Sequence, residues 1–287
     1  MVEYEDIIAL GRGNQVFITS DNFATVTTYT NGVAPNTVKD MALDGSTLYV
    51  AFSDGTDSVV RQKDLANSST FSSYATATGR VIEQIFAVKN IIISAEADGK
   101  LYELAGAGTP TLIKDLPSGE KWAAVEDAGA VILAASDGGY IYSIKEGSSG
   151  LELAGQTYIE NEEIVDVLES NGIIFFSTAE STSGGGKVGR LYRGVLSNDT
   201  NLYNVSNRQL IKEFGADDST LDHSPEKFYA TRDQVYFGVI DSATETHLYS
   251  IYLPTLGYAR DKYFVTSTAG KVLDIVCLLY TSPSPRD

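Results

Sequence analysis

The 287-residue chain is predicted to be all-β and built from successive four-stranded antiparallel units. Three observations predict this. An apolar residue is followed seven positions later by a second one inside a short β-type run, at Met41/Leu48, Ile85/Ile92, Val125/Ile132, Val167/Ile174 and Phe228/Val235. An apolar-Tyr step then recurs at Leu101-Tyr102, Ile141-Tyr142, Leu191-Tyr192 and Leu248-Tyr249. No long window sustains a 3.6-residue apolar period, whereas alternation and β-branched or aromatic enrichment run throughout.

Each unit reads as four strands in order. The seven-residue pair opens the unit. Between its second member and the apolar-Tyr step stand Asp54-Gly55, Asp98-Gly99 and Asp137-Gly138, read as two-residue hairpin turns because Gly and Asp tolerate positive φ. A fourth apolar run closes most units, as in Thr111-Leu112-Ile113 and Leu210-Ile211. From Met41 through Ile85, Val125, Val167 and Phe228 to Ile275 the opening landmarks are 44, 40, 42, 61 and 47 residues apart, the period of a β-propeller blade. The long interval holds Ser181-Thr182-Ser183-Gly184-Gly185-Gly186 and a polar stretch from Ser197 to Arg208, both expected to be loop insertions. The N-terminal unit is shorter, with Asp6-Ile7-Ile8-Ala9-Leu10 as its expected opening strand.

Blades are therefore expected at about 3–36, 37–80, 81–119, 120–160, 161–223 and 224–270, with the start of another at 271–276, in a single domain over 1–276. Lys271-Val272-Leu273-Asp274-Ile275-Val276 repeats the opening Glu163-Ile164-Val165-Asp166-Val167-Leu168. The expectation is a seven-bladed parent with six blades present and the last truncated; a closed six-bladed ring and an eight-bladed parent are the alternatives. Residues 277–287 resemble a translated sequencing adapter and are expected to be non-native. A blade alone cannot bury both faces, so neighbouring blades stabilise one another.

Composition narrows the function classes. A hydrophobic content of 43% is that of a globular protein. A net charge of −17 without a basic stripe argues against nucleic acid and is explained by colloidal repulsion. The only cysteine, Cys277, lies in the adapter-like tail, so no disulfide framework is expected. The start Met1-Val2-Glu3-Tyr4 has no signal-peptide pattern, and no segment reaches the roughly 20 apolar residues that span a bilayer. No membrane insertion and no cofactor are expected.

Chemistry-bearing residues are few. His223 has Asp217, Asp218 and Asp222 within six residues; carboxylates with imidazole can hold a metal, but the spacing fits no established loop and no metal is assigned. His247 is expected at a surface or strand edge. Glu160-Asn161-Glu162-Glu163 reads as a hydrated connection rather than a convergent catalytic pair. Asp6, Asp40, Asp166 and Asp274 each stand one position before an opening-strand landmark, a partial acidic ring. Resemblance to propellers, whose opening strand lines the central channel, implies that they lie near water there or in hydrogen bonds between blades, and a structural role is expected. Trp122, the only tryptophan, opens the fourth blade. With Glu162, Asp222 and His223 it forms the candidate binding set, since an aromatic ring flanked by carboxylates suits a sugar. The alternative for Trp122 is packing between blades.

The repeat resembles the broad propeller group that includes WD-repeat and YVTN-type proteins, without the His and Trp-Asp signature of WD repeats. Thr19-Ser20-Asp21-Asn22-Phe23-Ala24-Thr25 resembles the Asp-box of sialidase-like and sortilin-like propellers, lacking its glycine and terminal aromatic. Ala134-Ala135-Ser136-Asp137-Gly138-Gly139-Tyr140-Ile141-Tyr142 and Leu253-Pro254-Thr255-Leu256-Gly257 are similar to propellers of tailed-phage virions and environmental microbes. These resemblances imply a non-catalytic binding or structural propeller, contacting a protein partner or a glycan, as a phage tail or virion component. The alternatives are a sialidase-like glycoside hydrolase or lyase, for which Arg61, Arg80, Arg190 and Arg193 are available to grip a carboxylate, and a surface or periplasmic assembly factor.

Overall fold

The computed structural model describes residues 2–5, 7–20, 24–67, 69–148, 150–215, 220–265, 270–272 and 275. Among these residues there is no α-helix, and the strands form six four-stranded antiparallel sheets, each in chain order. Sheet 1 is β1(Val2–Tyr4), β2(Ile7–Arg12), β3(Gln15–Thr19) and β4(Thr27–Thr30). Sheet 2 is β5(Thr37–Asp44), β6(Thr47–Ser53), β7(Ser58–Asp64) and β8(Ser72–Ala77). Sheet 3 is β9(Ile82–Val88), β10(Ile91–Glu96), β11(Lys100–Leu104) and β12(Thr111–Asp115). Sheet 4 is β13(Trp122–Asp127), β14(Ile132–Ser136), β15(Tyr140–Gly147) and β16(Gly150–Tyr158). Sheet 5 is β17(Glu163–Ser170), β18(Ile173–Ser181), β19(Lys187–Asp199) and β20(Leu202–Phe214). Sheet 6 is β21(Glu226–Ala230), β22(Gln234–Ser242), β23(Glu245–Tyr252) and β24(Gly257–Val265).

The seven-residue spacing is a tight first hairpin. In sheets 3 and 5 the turns Lys89-Asn90 and Asn171-Gly172 carry positive φ at both residues, the backbone that matches the twist of paired strands. The two-residue turns thus join the first and second strands. The Asp-Gly signals mark longer connections between the second and third. At Asp54-Gly55-Thr56-Asp57 the Asp54 carboxylate accepts the amides of Thr56 and Asp57 at 2.9 Å each, which holds its pKa below the usual value. In Asp137-Gly138-Gly139 it is Gly139, with φ +85°, that needs the missing Cβ.

Two sequence expectations are corrected. Ile7–Leu10 belongs to the second strand of sheet 1, because Val2–Tyr4 precedes it and pairs with it. The polar stretch from Ser197 to Arg208 is not a loop: it extends β19 and β20 to 13 residues each and turns at Thr200-Asn201, both at positive φ. Paired strands satisfy their own backbone groups, so the inserted residues cost no unbonded amides. Asp6, Asp21, Asn22, Phe23, Asp217, Asp218, Asp274 and the tail 277–287 lie outside the described residues, as do three of the six residues of the expected further blade start, 273, 274 and 276.

The chain forms two compact units, the first comprising the residues to Ala97 with Leu104–Pro110, the second Asp98–Glu103 with Thr111–Ile275. In the first, Ala9 and Val16 of sheet 1 pack on Leu48, Val50 and Phe52 of sheet 2, and Tyr49, Ala51 and Val60 of sheet 2 pack toward Ile82, Ile85 and Ile92 of sheet 3. In the second, Leu133 and Ile141 meet Val167 and Phe176, and Phe175 and Leu191 meet Val235 and Phe237. Phe52, Phe175, Phe176 and Phe237 are fully buried, each worth about 1.5–3 kcal/mol of transfer free energy. In sheets 2 and 5 one side of the central strands faces one neighbouring sheet and the other side the next, which is why both faces read as apolar.

Acidic side chains on first strands bind the following sheet. Asp40 Oδ2 accepts the Ile85 amide and Asp166 Oδ2 the Phe228 amide, each at 2.9 Å. Both amides belong to the opening landmark of the next sheet.

Candidate functional site

One end of sheet 5 gathers charge from four chain segments. Arg190 on β19 is the hub: its guanidinium meets Glu162 before β17 at 2.8 Å, Glu180 on β18 at 2.7 Å and Glu213 on β20 at 2.7 Å. The register makes this local, because Arg190 pairs directly with Glu213 across the β19–β20 ladder and with Thr178 across β18–β19. Glu162 also accepts from the Thr178 hydroxyl and, at 3.3 Å, from the Tyr192 hydroxyl. Burial opposes the charged guanidinium, but Glu213, Glu180 and Glu162 more than offset it and raise the Arg190 pKa. Burial, then the Glu162 charge, raise that of Tyr192.

A second cluster adjoins the first through β19. Lys187 pairs with Glu163 and forms a parallel bridge with Asp222. Lys271 reaches Asp222 at 3.0 Å and Glu226 at 3.4 Å. Although burial works to raise the Asp222 pKa, the Ser224 hydroxyl and Lys271 lower it overall; Glu226 is raised, chiefly by burial. Around these groups Glu162, Glu163, Glu180, Glu213, Asp222 and Glu226 outnumber Arg190, Lys187 and Lys271.

The structure therefore brings three of the four expected binding residues to one neighbourhood. Glu162 and Asp222 belong to the charged network. His223 is 3% exposed; its Nδ1 lies 2.6 Å from the Ile240 carbonyl, so Nδ1 carries a proton, and its backbone amide donates to the Lys187 carbonyl at 3.0 Å. It pins the connection before β21 rather than facing solvent. Trp122 stands apart from them in contact terms: it is 5% exposed, packs edge-on against Tyr142 and donates its indole N–H to the Gly99 carbonyl at 2.8 Å. No open ring face is left for a sugar. Sequence reasoning missed Glu180, Glu213 and Lys187, which converge only through the strand register, and Lys271, which reaches Asp222 and Glu226 from beyond sheet 6.

Three of the four arginines available to a sialidase-type site, Arg80, Arg190 and Arg193, are engaged within the protein. Arg80 pairs with Glu96, Arg190 with its three glutamates, and Arg193 donates twice to Gln209 Oε1, at 3.0 and 2.6 Å. A separate apolar cavity in the first unit, about 610 Å³, is walled by Ile7, Ile18, Tyr29, Leu65 and Phe71, with Lys63 among its lining.

His247 is corrected from surface to core. It is 1% exposed, because it pairs with Val239 across the β22–β23 ladder.

No protein-family model matches the chain, and no curated protein matches it. Solved structures do. A chain of a mitotic checkpoint complex aligns with TM-score 0.64 at 11% identity, over 94% of this chain and 81% of that one. YCF48 bound to D1 peptide aligns with TM-score 0.56 at 11% identity, over 90% and 79%. The computationally designed protein Ika8 aligns with TM-score 0.51 at 12% identity, over 84% and 69%. At such identities the likeness carries the fold alone: the chain is a β-propeller with six four-stranded antiparallel blades among the described residues.

Proposed function

We propose that this chain is a non-catalytic binding propeller that takes a protein segment bearing lysine or arginine on the charged end of sheet 5. The observation that supports this reading is the surplus of carboxylates over cations there, with Glu180 49% and Glu213 37% exposed beside the engaged Arg190. A basic segment would meet carboxylates already held in place, and the chain's net charge of −17 would steer it in. YCF48, a protein of like fold, is solved with a peptide bound, which accords with a peptide-binding use of this fold.

The test is fluorescence anisotropy with a labelled Lys-Arg-rich octapeptide against the full chain and the Glu180→Gln/Glu213→Gln double variant. The reading expects saturable binding that weakens with added NaCl and falls at least about fivefold in the variant, about 1 kcal/mol. Equal affinity for both proteins, or no saturable binding, overturns it.

A further inference from the structure

We infer that Asp241, Glu245 and His247, at the β22–β23 hairpin, form a binding site for a divalent transition-metal cation of the Zn²⁺ class. One ligand atom from each residue lies within 4.8 Å of the other two. The register explains the convergence. Glu245 and His247 are two apart on β23 and so share a face. Asp241 is the extra residue where the ladder shifts between Ile240 and Ser242, and a bulge of this kind re-aims a side chain, here onto the face of His247.

The ring of His247 is held between the two carboxylates. Its Nε2 is 3.1 Å from Glu245 Oε2 and its Nδ1 3.5 Å from Asp241 Oδ1. His247 thus presents a ring nitrogen to each carboxylate. Two carboxylates and an imidazole nitrogen make a mixed oxygen and nitrogen donor set of the kind that holds a Zn²⁺-class cation. The buried imidazole favours Zn²⁺-class ions over Ca²⁺ and Mg²⁺, which prefer all-oxygen sets. Asp241 and Glu245 are 44% and 37% exposed, which gives an ion a path from solvent. It also lets both carboxylates turn inward to reach bonds of about 2.1 Å. Three protein ligands leave a coordination position for water.

The test is calorimetric titration of the full chain with ZnCl₂, with CaCl₂ in parallel, repeated on Asp241→Asn and Glu245→Gln. Both variants change partly exposed side chains and keep His247. The expected result is one equivalent of Zn²⁺ bound, affinity at least ~10-fold weaker in each variant, a thermal midpoint that Zn²⁺ raises in the parent alone, and no comparable Ca²⁺ binding. Loss of the site would leave the peptide reading untouched, since the two use different residues. No saturable Zn²⁺ binding overturns the inference. Zn²⁺ affinity unchanged in both variants, the behaviour of scattered surface carboxylates, overturns it as well.

Discussion

At the scale of single residues, the acids on first strands do structural work that depends on protonation. Asp166 is raised by burial, against the pull of the Phe228 amide and Lys227. Glu126 on β13 accepts the Glu169 amide at 3.2 Å, and burial, with Asp166 and Glu169 nearby, pushes its pKa to about 8. The folded chain thus keeps the Glu126 proton up to about pH 8, whereas the unfolded chain releases it near the ordinary value of 4.5. Folding takes up a proton between those values, so this group's contribution to stability declines as pH rises through that window and is level above it. Glu126→Gln is expected to flatten urea-midpoint stability between pH 5 and 8 and to stabilise the fold at pH 8; an unchanged pH profile contradicts this. Asp166→Ala strands the Phe228 amide and is expected to cost about 1–3 kcal/mol. Asp166→Asn keeps an oxygen acceptor and is expected to cost less, measurable in the same denaturation series. Asp40, Asp166 and their positions before the landmarks were legible in the sequence, as was a structural role, but the sequence left open whether they face water or bond between blades. The particular amides they reach were not, because they lie 45 and 62 residues away.

At the scale of elements, the long β19–β20 hairpin joins sheets 4 and 5. Val205, 4% exposed, packs into the core shared with Leu133 and Ile141, and its amide donates to Thr157 Oγ1 at 2.8 Å. Gly155 on β16 admits the approach: a Cβ there would overlap the Tyr203 carbonyl. Gly155→Ala is expected to lower stability by about 1–3 kcal/mol through displacement of the hairpin, read as a lower thermal midpoint; an unchanged midpoint contradicts the close contact. The inserted residues looked like loop because Asn198, Asp199, Asn201 and Asn204 are turn-rich in composition, and local propensity yields to pairing once a partner strand is present. The candidate site was half visible for a similar reason. Glu162, Asp222 and His223 stand in connections, where acidic residues draw notice, whereas Glu180 and Glu213 lie at strand ends and acquire meaning only from their register with Arg190. His247 misled because Glu245 and Thr246 beside it are polar.

At the scale of the whole molecule, the repeat was legible because each central strand is apolar on both sides, a requirement imposed by neighbouring sheets rather than by any ligand. The same cause limits what sequence says of function, since core positions dominate the pattern and the charged residues at sheet ends vary from blade to blade. The proposed binding at the end of sheet 5 is tested most directly by hydrogen exchange of the full chain with and without the Lys-Arg-rich octapeptide. Slower exchange confined to segments around Glu180–Arg190 and Leu221–Glu226 is the expected result. Slowing confined to sheets 1 and 2, or none at saturating peptide, contradicts it.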